Sequence, residues 1–295
     1  MNHTIQFILG LDGGGTKTVA RLVDLQTSMQ WQVNAGATSL SNDYSLALAN
    51  ITDACGQLFE QAGCCAEQVS AVFGVAGAGD KSLVARLERD LVFKFAKLNV
   101  VSDAKSSLYG ANAGHPVAVV ALGTGSVGMR MDHNRNEKMI GGWGFCIGDE
   151  GGGAKLGYLA VQKLLLEMDL NGVAKSTLSL FVASQIGYSR HSILQWLAMA
   201  KPADFAALAP HIFTLKEECV VALEVLTAHA TMIEKLIKRT CGSSDLPLVL
   251  MGGLAEPSQG LLSATYRNLI VPSKGNSLDG ACLLAKQLCS PASIN

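Results

Sequence analysis

Charge is scarce in this chain. Only 16% of the 295 residues are Asp, Glu, Lys or Arg, and the two signs nearly cancel to a net −1. No basic run offsets that balance, so the sequence lacks the electrostatic footprint of a nucleic-acid surface. A long apolar segment is also missing. The longest stretch free of Asp, Glu, Lys and Arg, Ser106 to Met129, contains His115, Pro116, Asn112 and five glycines, which makes a poor membrane span. The N-terminus has no basic region followed by an apolar core, so no signal peptide is expected. Cysteine is present but its familiar patterns are not. The eight cysteines form no C-x-x-C pair, and no histidine pair stands at zinc spacing. Without a secretion signal they read as reduced, mostly buried thiols, and the expected location is the cytoplasm. What remains is 49% hydrophobic, with a large core, no signature of disorder and length for two ordinary domains.

The stretch Leu9-Gly10-Leu11-Asp12-Gly13-Gly14-Gly15-Thr16-Lys17-Thr18 organises the rest. An apolar run, Phe7 to Leu11, leads into it and a second extended run, Val19 to Val23, leads out, so the glycines sit on a turn between two strands. Consecutive glycines take backbone angles closed to other residues, and their N–H groups can converge on an anion. Asp12 at the strand end is out of place beside a phosphate unless a divalent cation lies between them through water, as Mg²⁺ prefers. Thr16 and Lys17 add a hydroxyl and a positive charge. The Walker pattern fails because Thr16 separates Gly15 from Lys17. The dinucleotide fingerprint fails because a strand, not a helix, follows. The residues predict a hairpin for the phosphates of a Mg-nucleotide, with Gly13, Gly14, Gly15, Thr16 and Lys17 as donors and Asp12 toward the metal.

Further along, helices are predicted over Tyr44–Gln61 and Lys81–Phe95, with Asn42 or Asp43 as cap of the first. Strands are predicted at Val69–Val75 and Leu98–Val101, the latter ending in Ser102-Asp103-Ala104 before a short helix to Ala113. Then the pattern starts again: strand Val117–Leu122, turn Gly123-Thr124-Gly125-Ser126, strand Val127–Met131. That spacing suggests an internal repeat of about a hundred residues. From Lys155 the chain reads as mostly helical, with helices near Lys155–Asp169, Val173–Ile186, Ser192–Met199 and Leu215–Thr240. Late strands are expected at Leu246–Met251, ending in Gly252-Gly253, and at Asn268–Val271, before a last helix over Ser277–Leu288.

These residues resemble the actin-like ATPase and sugar-kinase superfamily. Asp12 to Lys17 looks like its first phosphate motif, Gly123-Thr124-Gly125-Ser126 its second, and Gly252-Gly253 its adenosine motif. Ser102-Asp103-Ala104 and Leu278-Asp279-Gly280-Ala281 match its two connecting helices. A narrower likeness lies in Gly141-Gly142-Trp143-Gly144-Phe145-Cys146-Ile147-Gly148-Asp149-Glu150-Gly151, similar to a segment of N-acetylglucosamine kinases, a group that includes bacterial glucosamine kinases. The resemblance implies an α/β fold of two actin-like (ribonuclease H-like) domains, 1–113 and 114–276, with a ligand cleft between them. The last helix, about 277–290, would pack back onto the first domain. It implies phosphorylation of the 6-hydroxyl of an amino sugar by ATP with Mg²⁺. N-acetylglucosamine is the first expectation and glucosamine the alternative. Asp103 would be the base, Asn42 and Asp149 would meet sugar hydroxyls, and Gly142 and Trp143 would face the C2 substituent.

Plainer roles exist for several of these residues. Asp103 or Asn42 would serve as a helix cap, Trp143 as core, Asp149 and Glu150 as a solvated loop, and Cys146 is read as packing. A second function, an activator ATPase of the 2-hydroxyacyl-CoA dehydratase type, would need cysteines placed for an iron–sulfur cluster, and only Cys146 stands near the glycine turns. A non-catalytic sugar-sensing repressor would need a DNA-binding segment, and the first hairpin begins too close to Met1 for one. The partners expected are an amino sugar and ATP, without nucleic acid or membrane. A homodimer is compatible with the sequence but not required by it.

Overall fold

The computed structural model describes residues 4–289. The chain divides into two compact units. One runs up to Val117 and resumes at Ser273; the other is Ala118–Pro272.

The first unit is built on strands β1 (Phe7–Gly13), β2 (Thr18–Asp24) and β3 (Gln30–Ala35), helix α1 (Tyr44–Ala62), strand β4 (Val69–Val75), helix α2 (Lys81–Asp90), strand β5 (Lys97–Val101) and helix α3 (Asp103–Ala111). Among the described residues its sheet has the order β3-β2-β1-β4-β5. β1 runs antiparallel to β2 and parallel to β4, with Asp12 opposite Val19 and Gly74. β4 is buried at every position, as a central strand covered on both faces should be. Leu9, Leu11, Phe73 and Val75 form the core with Ile51, Leu58 and Phe59 of α1.

In the second unit come strands β6 (Val117–Leu122), β7 (Ser126–Met131) and β8 (Glu137–Gly141), then helices α4 (Gly153–Asn171), α5 (Thr177–Ile186), α6 (Arg190–Met199), α7 (Pro202–Ala206), α8 (Ala209–Thr214) and α9 (Val220–Cys241). Strand β9 (Leu248–Met251) and the short helices α10 (Ala255–Gln259) and α11 (Ala264–Arg267) follow. Its sheet has the order β8-β7-β6-β9, with β6 and β9 parallel. Each sheet therefore opens with a strand, a glycine turn and a second strand, and sets a later parallel strand beside the first. The mixed α/β class with two sheets is as the sequence predicts. The last helix, α12 (Ser277–Cys289), belongs to the first unit and packs on α3 and β1. Its fit there is close. A side chain on Gly10 would run into Cys282, and one on Gly280 into the backbone of Ser106.

Four local expectations are corrected. α2 stops at Asp90 rather than at Phe95. Phe93 and Phe95 instead alternate along extended chain and set their rings edge-on to Phe59, a spacing a helix would rotate apart. The strand expected at Asn268–Val271 is only an isolated bridge, Ile270 to Leu248, because α11 occupies residues up to Arg267. The predicted helix start at Val173 moves to Thr177, where Ser176 caps it, and that at Leu215 moves to Val220. Two strands were not anticipated. β3 and β8 are mostly exposed edge strands and carry no apolar run.

Candidate active site

The glycine hairpin forms where its residues predict a turn between strands. β1 and β2 deliver the tip Gly14–Lys17, closed by the Gly14 N–H donating to the Lys17 carbonyl at 3.1 Å. Among the described residues, no protein group accepts from the N–H of Gly15 or Thr16, which leaves both donors unpaired. Behind the tip, the Thr18 hydroxyl meets the Gly36 carbonyl at 2.7 Å and the Thr38 hydroxyl at 2.8 Å. Thr38 Oγ1 fills the space a side chain on Gly13 would need, so the third strand's exit loop locks the turn from below.

Asp12, Gly13, Gly14, Thr16, Lys17, Val19, Asp103, Ser107 and Ser277 line one pocket of about 240 Å³. Asp103 enters it from the first turn of α3. The cap of α3 is Ser102, whose hydroxyl accepts from Lys105 N–H. Asp103 is thus not the cap. Among the described residues, its exposed carboxylate accepts only from the adjacent Ala104 N–H, at 2.8 Å. Burial first, and then the charge of Asp103, push the Asp12 carboxyl up to about 6, against the smaller opposing pull of Lys17. A carboxyl whose ionised form is disfavoured by burial and by a neighbouring carboxylate is one that a bound cation would relieve. Asn42 lies beside the hairpin tip. Its amide nitrogen lies 3.4 Å from where a side chain on Gly15 would begin, and the cap of α1 is Asp43.

Within the second unit, Gly123 N–H donates to Gly125 at 2.9 Å, closing the second turn. The first N–H groups of α4, Gly153 and Ala154, donate to the Gly123 and Thr124 carbonyls at 2.8 and 2.9 Å. The positive end of the α4 dipole therefore lies against this turn. Asp149 takes the left-handed conformation, φ 59°, which non-glycine residues adopt only when held. Its carboxylate occupies the room a side chain on Gly125 would fill. Gly252, at the end of β9 and φ 92°, lies against the Leu122 carbonyl at the end of β6. The turn 123–125, Asp149 and the Gly252-Gly253 step thus come together, as their places in sequence suggest. Gly142 and Trp143 stand on the connection from β8 to α4. Trp143 is 78% exposed, so it is not core. Cys146, read from sequence as packing, is likewise exposed; the glycines around it leave no wall to cover it. Asp149 and Glu150 are half-buried and tied down, with the Ser126 hydroxyl donating to the Glu150 carbonyl at 2.8 Å and Arg239 3.3 Å from its carboxylate.

Sequence reasoning missed Ser107, Ser277 and Thr38. Ser107 carries a signal, since it stands one helical turn after Asp103 and shares its face. Among the described residues no group of three or more His, Cys, Asp or Glu is placed to hold a metal ion, and no helix is long and apolar enough to cross a membrane.

A glycine hairpin with two unpaired N–H donors, a carboxylate at its base and a second glycine turn on a matching sheet are the marks of an ATPase of the actin-like class. The chain belongs to the BadF/BadG/BcrA/BcrD ATPase family, whose model matches residues 9–278. It is 28% identical to the glucosamine kinase of Vibrio cholerae over 95% of this chain and 96% of that one. It is 30% identical to an N-acetylmuramic acid/N-acetylglucosamine kinase of Clostridium acetobutylicum, over 57% of this chain and 56% of the other. A solved structure from Chromobacterium violaceum, provisionally named an N-acetylglucosamine kinase, superposes with a TM-score of 0.86 at 29% identity, over 95% of this chain and 99% of that one.

Proposed function

We propose that this chain transfers the terminal phosphoryl group of ATP to the 6-hydroxyl of an amino sugar, N-acetylglucosamine before glucosamine. The observation that carries this reading is the exposed carboxylate of Asp103 in the same pocket as the glycine hairpin. A sugar hydroxyl is a weak nucleophile, and a carboxylate in hydrogen-bond reach orients it and accepts its proton. The loose transition state of phosphoryl transfer then asks mainly for positioning and neutralised charge. The unpaired N–H groups of Gly15 and Thr16, with Lys17, serve that purpose in the first unit. The turn Gly123-Thr124-Gly125 at the start of α4 serves it in the second, and Gly252-Gly253 is the adenosine step. The donor chemistry at Asp12 suits Mg²⁺, which would supply charge neutralisation on the phosphates. Asn42 and Asp149 are assigned to sugar hydroxyls, and Gly142 with Trp143 to the C2 substituent.

Glucosamine is the second reading, favoured by the near full-length relative named a glucosamine kinase. The test is ADP release with N-acetylglucosamine, glucosamine, N-acetylmannosamine and glucose side by side. The proposal expects N-acetylglucosamine to give the highest kcat/KM. A clear preference for glucosamine would establish the second reading, and no turnover with either amino sugar would overturn both.

A further inference from the structure

We infer that Ser107 and Ser277 form a second anchor for the divalent cation, holding its water shell rather than the nucleotide. The inference rests on the nucleotide reading above and extends it to residues outside the family motifs. The two hydroxyls lie 2.7 Å apart and line the pocket that holds Asp12 and Asp103. A hydroxyl has one proton and two lone pairs. Ser107 uses its proton on the Asp103 carbonyl at 2.9 Å. The proton between the two hydroxyls must therefore come from Ser277. That leaves Ser277 Oγ with lone pairs and nothing to donate.

The dyad thus presents acceptors to the pocket, as the Asp12 and Asp103 carboxylates do. Phosphate oxygens, themselves acceptors, gain nothing from such a surface. Water on Mg²⁺, whose protons point outward, is the complement, and Mg²⁺ keeps several of its waters when bound by one or two carboxylates. The helix N-termini at this spot do not reverse the preference, since α3 and α12 each carry an acid in the first turn, Asp103 and Asp279. Ser277 is not the cap of α12. Asn276 is, accepting from Asp279 N–H at 3.0 Å while Asp279 accepts from Asn276 N–H at 2.9 Å. The hydroxyl of Ser277 is therefore free for a ligand without cost to the helix.

The test uses the whole chain with ADP and Mn²⁺ as the probe, free Mn²⁺ being counted by electron paramagnetic resonance. Ser277→Ala should weaken Mn²⁺ binding about three- to tenfold, the worth of one or two hydrogen bonds. Ser277→Thr, which keeps the hydroxyl, should restore it. Ser107→Ala, on the other helix, should weaken it similarly. ADP binding in EDTA should not change in any variant. The proposal is overturned if Ser277→Ala and Ser107→Ala bind Mn²⁺ as the wild type does. It is equally overturned if they lose ADP in EDTA by the same factor, because the dyad would then serve the phosphates or only the packing of α12. Wild-type chain that turns over an amino sugar while the variants bind Mn²⁺ normally would sink the dyad alone. Wild-type chain that binds neither ADP nor Mn²⁺ would sink the nucleotide reading with it.

Discussion

Asp12 and Asp103 reach one pocket from two elements, the end of β1 and the first turn of α3, and the charge of Asp103 helps hold the Asp12 carboxyl at about 6. The usual carboxylate value is 3.8, so the folded chain binds this proton more tightly than the unfolded chain does. Its contribution to stability therefore falls as pH rises from about 4 to about 6, and the penalty is complete above that window. Asp12→Asn removes the penalty. In EDTA the variant should melt above wild type at pH 8, and the gap should close near pH 4. With Mg²⁺ and ADP the order at pH 8 should reverse, because the metal stabilises only the ionised carboxylate. A variant no more stable than wild type at pH 8 in EDTA would show that Asp12 is not strained by its ionisation. Differential scanning fluorimetry at the two pH values settles it.

Asp103 is the residue whose loss should separate binding from chemistry. Ser102 supplies the cap of α3, so Asp103→Asn leaves the helix start intact. We expect ADP affinity to stay near wild type and the melting temperature to be no lower, since the charge that burdens Asp12 is gone, while kcat falls about 10²- to 10⁴-fold, the usual worth of a general base. Steady-state kinetics with saturating sugar checks this. A variant keeping more than about a tenth of kcat, well short of that range, would remove Asp103 from the reaction.

Much of this was legible in the chain because the decisive elements are local. Asp12 to Lys17 needs only its own glycines and flanking apolar runs to declare a turn between strands. The same holds for Val117 to Met131. What sequence could not show was assembled from afar. The return of α12 to the first unit is implied by the resemblance, but the meeting of Ser277 with Ser107 is set by how α12 packs on α3, and no periodicity marks that pairing. β3 and β8 were invisible because an edge strand needs no apolar face. Phe93 and Phe95 were read as helix because residues two apart advertise a strand only when their partner, here Phe59, is known.

His229 makes a second pH prediction, opposite in sign. It is fully buried on α9, with Nε2 3.1 Å from the Ser258 hydroxyl and, among the described residues, no hydrogen-bond partner for Nδ1. Burial pushes its pKa down from 6.5 to about 4. The folded chain thus binds this proton less tightly than the unfolded chain. The stability it allows is present above about 6.5 and is lost as pH falls toward 4. His229→Leu removes that dependence but strands the Ser258 hydroxyl, a cost of about 1 kcal/mol or more. Urea titrations should find the variant less stable at pH 7.5, with the gap narrowing at pH 5. A gap that stays constant would mean that His229 does not titrate in this range.

Trp143 tests the identity of the sugar. At 78% exposure its ring contributes little to the core, so Trp143→Ala should leave the melting curve unchanged and any effect belongs to the ligand. Gly142 beside it has φ 71°, a conformation open to glycine that leaves the backbone uncovered by a side chain. In our reading the acetyl group of N-acetylglucosamine lies against this pair, its carbonyl toward the backbone and its methyl toward the ring. Glucosamine carries an ammonium there instead, which gains nothing from an apolar wall. Trp143→Ala should therefore raise KM for N-acetylglucosamine more than for glucosamine, by about 1–2 kcal/mol, roughly one apolar group buried on binding. Exposure in the free chain sharpens the expectation, because on this reading the ring would bury its face against the sugar alone. Parallel KM measurements on both sugars decide it. If wild type uses glucosamine far better and the substitution shifts both KM values alike, the acetyl group does not rest on Trp143, and glucosamine becomes the substrate of choice.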